Sequence, residues 1–389
     1  MQGLGTADSM YARAMHSHSE PAAKLAGARL TIDLGALAAN WQALAGKAAG
    51  AETAAVVKAD AYGLGIDEAG RALAGAGCKT FFVALLAEGL CLRAILPEAV
   101  IYILDGLIEG SARTLAEADL RPVLGSWPEI EEWAAFKTGG SATGSAIHVD
   151  TGMNRLGLSL HEALALAQRR ELLAGLAPSL LMSHLAVAET AENPLNRRQL
   201  ALFREIRAEF PGIPASLANS AGILLGKDFH FDLVRPGIAL YGASPAHRLQ
   251  KPLRTVVTAE ARVLAIREAD EGETIGYGAT ETLKRPSRIA ILAAGYADGY
   301  HRLAGSSDEH NGAYVHIRNR PARLVGRVSM DLMAVDVTEI LAVSRGDWAE
   351  LFGPHVAIDD VASFAGTIGY ELLTGLGRRY ARNYVGDVE

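Results

Sequence analysis

Between residues 53 and 235, short runs rich in Val, Ile, Leu and Phe recur roughly every 20 to 35 residues, separated by segments of helical period. Eight runs read as strands: 53–58, 80–85, 99–104, 120–124, 145–150, 179–184, 215–219 and 231–235. The helices between them include 160–173 and 194–210. The second is opened by Asn193 as N-cap and by Pro194 at the first helical position, where a missing N–H is no loss. Strand and helix in alternation build a parallel sheet. Eight units in about 185 residues fit a closed (β/α)8 TIM barrel better than a doubly wound sheet, and the first unit has no G-x-G-x-x-G.

Beyond residue 253 the pattern changes to alternating apolar and polar positions, at 256–267, 288–294, 313–317 and 333–337, with Gly, Asp and Pro in the connections. This predicts a mainly antiparallel β domain over 255–389, after a barrel domain over 29–254. The run 30–34 is one strand too many for the barrel and is assigned to the β domain by elimination. Residues 1–28 are small and polar, without an apolar core of signal-peptide length, and read as a flexible extension.

Composition narrows the partners. With 389 residues, 50% hydrophobic and 21% charged, the chain is an ordinary globular protein. A net charge of -7 without a Lys/Arg block argues against nucleic acid. Its two cysteines, Cys78 and Cys91, have neither zinc nor redox spacing and are expected to be buried thiols in a reducing, cytoplasmic compartment. The most apolar stretch, 172–188, is interrupted by Pro178, Ser183 and His184, so it reads as a helix end, a turn and a buried strand rather than a membrane span.

A TIM barrel carries its chemistry at the C-terminal ends of its strands. There the sequence places Lys58, the loop Asp150-Thr151-Gly152-Met153-Asn154-Arg155, His184, Asn219-Ser220 and Arg235-Pro236-Gly237-Ile238. Taken alone, a lysine ending a strand snorkels to water. In company it has another use: burial lowers a lysine's proton affinity and supplies the neutral amine of Schiff-base chemistry. Tyr62, on the glycine-rich turn that follows, could reach a phosphate. Ser220 and the Gly237 and Ile238 amides occupy loops seven and eight, where barrels commonly hold phosphate. Together these residues suit pyridoxal phosphate. Ala218-Asn219-Ser220-Ala221-Gly222 lacks the first glycine of a nucleophile elbow, and no H-E-x-x-H, P-loop or calcium loop is present.

The β region adds Gly276-Tyr277-Gly278-Ala279-Thr280, Gly295-Tyr296-Ala297-Asp298-Gly299 and Gly326-Arg327-Val328-Ser329-Met330-Asp331. Each alone is a decorated hairpin turn. In this order, after the lysine and tyrosine turn, they make the chain resemble the alanine racemase family from about residue 29 to 385. The resemblance implies an alanine-interconverting homodimer dependent on pyridoxal phosphate. Lys58 would be the cofactor lysine and one base. Tyr277, from the partner subunit, would be the other, because inversion needs a base on each side of Cα. A phenol is a weak base near neutrality, so Tyr277 needs cationic or hydrogen-bonding neighbours. The implied ones are His184 and, through it, Arg235, which faces the pyridine nitrogen. A permanently charged guanidinium leaves that nitrogen unprotonated, disfavouring transamination. Arg155 would contact the substrate carboxylate, completed by Met330 with Asp331 across the interface. Tyr62, Ser220, Gly237, Ile238 and Tyr370 would contact phosphate, and Tyr296 would narrow the entrance. D-alanine for cell-wall precursors, or alanine breakdown, is the implied role.

One position departs from the family pattern. Where many members carry a carbamylated lysine, this chain has His148. Arg155 must then be held by another group, and His148, Asp150 or a bound anion are the candidates. Two other readings compete: a pyridoxal phosphate decarboxylase on the same architecture, which Arg235 argues against, and a noncatalytic single-barrel cofactor carrier, which has no use for the β domain or Tyr277.

Overall fold

The computed structural model describes residues 25–137, 143–245 and 253–386, so 1–24 of the expected flexible extension lie outside the described residues. The chain divides into two compact units. One is Leu34–Arg254; the other joins residues 25–33 to Thr255–Gly386.

In the second unit, β1 (Ala28–Asp33) alternates buried and half-buried side chains, as a strand with one face on a core must. The first unit begins with the helix Leu34–Lys47 and then holds nine short strands. These are β2 (Glu52–Thr53), β3 (Ala55–Val56), β4 (Thr80–Val83), β5 (Val100–Ile103), β6 (Leu120–Leu124), β7 (Ser145–His148), β8 (Pro178–Met182), β9 (Ala215–Ser216) and β10 (Leu233–Val234). β3 to β9 pair in sequence order, all parallel. β10 closes the ring. It pairs with β2 on one side, and on the other Asp232 and Arg235 donate to the Ala215 and Ala218 carbonyls at 3.0 and 2.9 Å. β2 and β3 are one barrel strand interrupted at Ala54, whose N–H goes to the Val234 carbonyl at 3.0 Å. Eight parallel positions therefore close on themselves, buried on both faces. Phe81 and Phe82 on β4, Trp133 and Phe203 on helices, and Phe210 just past the end of the helix Pro194–Ala208 are fully buried, each stabilising by about 1.5–3 kcal/mol.

Several local expectations change. The first strand ends at Val56, so Lys58 opens a turn instead of finishing a strand. The helix expected over 160–173 is two, Leu160–Gln168 and Arg170–Gly175, broken at Arg169 with ψ 68°. No glycine or proline marks that break. Asn193 does cap Pro194–Ala208, accepting the Leu195 N–H. Cys78 is buried, and burial pushes its thiol up to about 12. Cys91 is exposed, contrary to expectation, because on the helix Leu86–Ile95 the buried face belongs to Gly89 and Leu92. The run 172–188 is the end of a helix, a turn with Ala177 at φ 49°, and β8. Among the described residues, no helix is long and apolar enough to cross a membrane.

The second unit is an eight-stranded, mainly antiparallel sheet. Its strands after β1 are β11 (Val257–Ala269), β12 (Ser287–Leu292), β13 (Tyr314–Ile317), β14 (Arg320–Arg323), β15 (Met333–Asp336), β16 (Trp348–Phe352) and β17 (Ala381–Val385). The long β11 carries β1, β12 and β16, and β1 also pairs with β17 in parallel. β13 and β14 form a hairpin whose loop, Arg318-Asn319, has both residues at positive φ, 50° and 60°. That is the handedness a two-residue hairpin needs.

Candidate active site

Lys58 leads into a left-handed turn: Ala59, Asp60, Ala61 and Tyr62 have φ between 53° and 56° and ψ between 38° and 52°. For non-glycine residues this costs on the order of 1–2 kcal/mol each, so the surroundings must impose it. Glu88 does much of this. Its carboxylate accepts the Ala59 N–H at 2.6 Å and the Ala84 and Leu85 N–H groups at 2.8 and 3.0 Å, tying the turn to the end of β4. Asp60 fastens the other end by accepting the Ile66 N–H at 2.8 Å. The turn sends Tyr62 inward, 4.6 Å from the ring of Tyr241, with its hydroxyl over Gly237. A Cβ at position 237 would lie 2.4 Å from that oxygen, so this approach requires glycine.

Ser220 bridges the last two loops: its hydroxyl accepts the Gly237 and Ala239 N–H groups at 2.8 and 3.3 Å. Ile238 is the first residue of the 3₁₀ turn Ile238–Tyr241 and has an N–H with no acceptor inside that turn. A hydroxyl from Tyr62, Ser220 and helix-start amides thus converge where β3, β9 and β10 end. These are the donors that a phosphate takes up.

Arg235 is buried. It donates to the Ser216 hydroxyl, to the Ser183 carbonyl at 2.6 Å and toward His184 Nδ1 at 3.4 Å. Burial lowers its pKa only to about 10, so it stays charged at neutrality. Burial first, then Arg235 and Arg155, hold His184 well below its ordinary value. The ring is neutral and carries one N–H. Arg235 has no lone pair, so accepting from it at Nδ1 leaves the proton on Nε2. Asn219 Nδ2 lies 3.4 Å from Nε2 and is also a donor, because Asn219 Oδ1 is held by the Gly222 N–H. Only one of the two contacts can be a hydrogen bond in either tautomer.

Lys58 is half-buried, and its pKa is lowered by burial and then by Arg155, against smaller opposing effects of Asp105 and Glu88. Arg155 sits exposed on the loop after β7. Neither expected neighbour holds it. Asp150 spends its carboxylate on the N–H groups of Gly152, Met153 and Asn154, at 2.9–3.2 Å, stiffening the loop. His148 makes no side-chain hydrogen bond among the described residues.

His148 carries a pH prediction. Burial, Arg235 and Arg155 lower it from 6.5 to about 4, with Asp150 opposing. Between those values the unfolded chain binds a proton that the folded chain does not. The resulting stability is complete above about pH 6.5 and is lost as pH falls toward 4, by roughly 3 kcal/mol. His184 acts in the same direction. Urea unfolding at pH 7 and pH 5 should show the decline, and His148→Gln should flatten it. An unchanged slope in that variant would clear His148 of the effect.

The remaining candidates belong to the β unit. Tyr277 starts the 3₁₀ turn Tyr277–Ala279 and is 71% exposed. Tyr296 and Met330 are exposed too, and their loops are stitched together: the Tyr296 and Ala297 N–H groups donate to the Ser329 and Met330 carbonyls at 3.0 and 2.9 Å. Asp331 pairs with Arg379 at 2.6 Å, and Arg379 also reaches buried Asp298 at 3.0 Å. Tyr370 lies on the helix Gly369–Thr374, partly exposed.

Sequence reasoning passed over the supports. Gln199, fully buried on the helix Pro194–Ala208, donates to the His184 carbonyl at 2.9 Å and to Thr151 Oγ1 at 3.2 Å, and accepts the Ala186 N–H. Glu88 and Ser216 were likewise unmarked, and Ser183 was read only as an interruption of an apolar run, not as a support of Arg235. A polar residue on the inward stripe of a helix, as Gln199 is, was the available signal.

Residues 32–245 match the family model of the alanine racemase N-terminal domain, and 256–384 that of its C-terminal domain. A biosynthetic alanine racemase of Agrobacterium fabrum is 51% identical over 92% of this chain and 93% of its own. A catabolic alanine racemase of the same organism is 42% identical over 95% of each. The crystal structure of alanine racemase from Bartonella henselae with covalently bound pyridoxal phosphate superimposes with a TM-score of 0.88 at 41% identity. It covers 92% of this chain and all of that one.

Proposed function

The chain belongs to the alanine racemase family, and from that premise we propose how its own residues divide the work. Its activity is the interconversion of L- and D-alanine, and its cofactor is pyridoxal phosphate. The observation that carries the assignment of roles is the depressed proton affinity of Lys58, at the barrel mouth that also presents Tyr62, Ser220 and Gly237.

The cofactor fits these residues. Lys58 would hold it covalently, Tyr62, Ser220 and the Gly237 and Ile238 amides would take its phosphate, with Tyr370 as a further contact, and Arg235 would face its ring nitrogen. Bound there, it supplies the electron-accepting ring that acidifies the Cα–H of alanine. Arg235, charged at neutrality, would leave that nitrogen unprotonated and so favour return of the proton to Cα. Arg155, whose side chain makes no ion pair among the described residues, binds the substrate carboxylate. The Met330 amide, in the loop that Asp331 anchors through Arg379, completes that site. Lys58 Nζ moves the proton on one face of Cα and the Tyr277 hydroxyl moves it on the other. With the His184 proton on Nε2, that N–H donates to the Tyr277 oxygen and makes it a better base.

Tyr277 serves the site of a second copy. A base 71% exposed in one chain gains its dry surroundings when a partner covers it. The exposed apolar side chains of Met330, Leu332 and Ile368 in the same unit are of the kind that homodimer interfaces bury. Tyr296 narrows the entrance to a methyl-sized substrate. The cytoplasm, where D-alanine enters cell-wall precursors or alanine is broken down, is the setting this activity serves.

The test is incubation of the cofactor-loaded protein with L-alanine in deuterated water. Cα-deuterated D-alanine is the expected product. Carbon dioxide release with ethylamine would move the assignment to a decarboxylase, and no exchange at Cα would remove the racemase mechanism.

A further inference from the structure

Far along the chain from the residues above, the β unit brings two imidazoles to one buried carboxylate. On β13, His316 lies directly across from Glu350 on β16. The chain leaves β16 through a turn closed by the Gly353 N–H on the Val356 carbonyl at 2.8 Å, which folds His355 back over Glu350. Gly353 permits the fold: a Cβ there would lie 2.9 Å from Glu350 Cδ. Glu350 Oε1 accepts the backbone N–H groups of His355 and Val356 at 2.7 and 3.0 Å, and Oε2 accepts His355 Nδ1 at 2.7 Å. The two imidazoles stack with centroids 4.1 Å apart and planes 5° from parallel. One ligand atom from each of the three residues lies within 4.8 Å of the others.

We propose that His316, Glu350 and His355 form a binding site for one divalent transition-metal ion of the zinc class. The donor set is two imidazole nitrogens and a carboxylate oxygen, which suits Zn(II), Co(II), Ni(II) or Cu(II) in preference to Mg(II) or Ca(II). The carboxylate is preorganised. Two backbone N–H groups fix Oε1 and leave Oε2 facing the imidazoles, as outer hydrogen bonds orient a metal-binding carboxylate. Among the described residues its charge also lacks a permanent counter-ion. Across the sheet on the other side, Glu350 neighbours Glu260, which takes Arg29 at 2.6 and 2.9 Å. Among the described residues the ion-pair partner of Glu350 is His355, charged only when protonated. Binding replaces the proton between His355 Nδ1 and Oε2 with the metal, that proton passing to Nε2 of a neutral ring or, from a protonated ring, to water. It requires the His355 ring to turn so that both nitrogen lone pairs converge, which its exposed position permits. Water fills the open coordination positions.

The experiment is calorimetric titration of the chelator-stripped, cofactor-loaded protein with Zn(II), alongside the visible absorption of its Co(II) form. Wild type is compared with His316→Gln, His355→Gln and Glu350→Gln. The glutamine at 350 retains an acceptor for the turn amides and guards against loss of fold. The proposal expects one ion per chain, weakened about tenfold or more by each substitution, with the Co(II) band lost in the histidine variants while racemase activity persists. Absence of stoichiometric binding, or affinity unchanged in folded His316→Gln and His355→Gln, would overturn it, placing any bound metal elsewhere.

Discussion

Lys58→Ala should lower racemisation at least about a thousandfold, because one substitution removes both the covalent anchor of the cofactor and one of the two bases. The loss belongs to chemistry and not to folding. Lys58 Nζ makes no hydrogen bond among the described residues, and its proton affinity is already depressed by burial and by Arg155. Removing it relieves desolvation instead of breaking a contact. Without cofactor, the melting temperature of the variant should therefore stay near that of cofactor-free wild type, and with cofactor a small primary amine such as methylamine should restore part of the activity. An active Lys58→Ala protein would refute the assignment of both roles.

Tyr277→Phe should lower kcat by about 10²–10⁴ with the cofactor still bound. L- and D-alanine have equal free energies, so kcat/KM must fall equally in both directions. The distinguishing result is in the exchange of Cα–H with deuterated solvent. Lys58 still serves one face of Cα, so one enantiomer should exchange with retention of configuration while the other is inert. Exchange of both enantiomers at wild-type rates would take Tyr277 out of the mechanism. The substitution removes a hydroxyl from a side chain 71% exposed, so stability should change by less than about 0.5 kcal/mol.

The barrel was legible because its strands are continuously buried and mostly apolar, as in Thr80–Val83 and the Ala146-Ile147 centre of Ser145–His148. Both faces of a parallel strand are covered, and helices interrupt the runs at regular intervals. Asn193 and Pro194 announced their helix by cap chemistry. Where such signals were missing, so was the element. β14, Arg-Pro-Ala-Arg, and β17, Ala-Arg-Asn-Tyr-Val, are largely exposed and gain their strand character from pairing. The left-handed turn from Ala59 to Tyr62 contains no glycine. It is imposed from a distance by Glu88, which no local rule connects to Lys58.

The site divides in the same way. Lys58, Ser220 and Gly237 could be placed from barrel geometry, since strand ends and phosphate loops have fixed places in such a fold. The roles of Tyr277, Met330 and Tyr370 came from the family resemblance alone. Tyr277 and Met330 sit on turns of the β unit and Tyr370 on a short helix, where alternation speaks of strands and says nothing of chemistry. That His148 stands where the resemblance implies a carbamylated lysine was visible, but its consequence was not. Asp150 turned out to be committed to its own loop, and burial keeps His148 neutral.

A site that takes one base from each of two chains can be rebuilt by mixing two inactive variants. Lys58→Ala and Tyr277→Phe subunits are dissociated together, reassociated, and assayed for racemisation, with subunit exchange followed by affinity tags. A heterodimer restores one site with native Lys58 from one chain and native Tyr277 from the other. Random pairing should therefore return about a quarter of wild-type activity. No recovery despite demonstrated exchange would contradict the shared site and place both bases within a single chain.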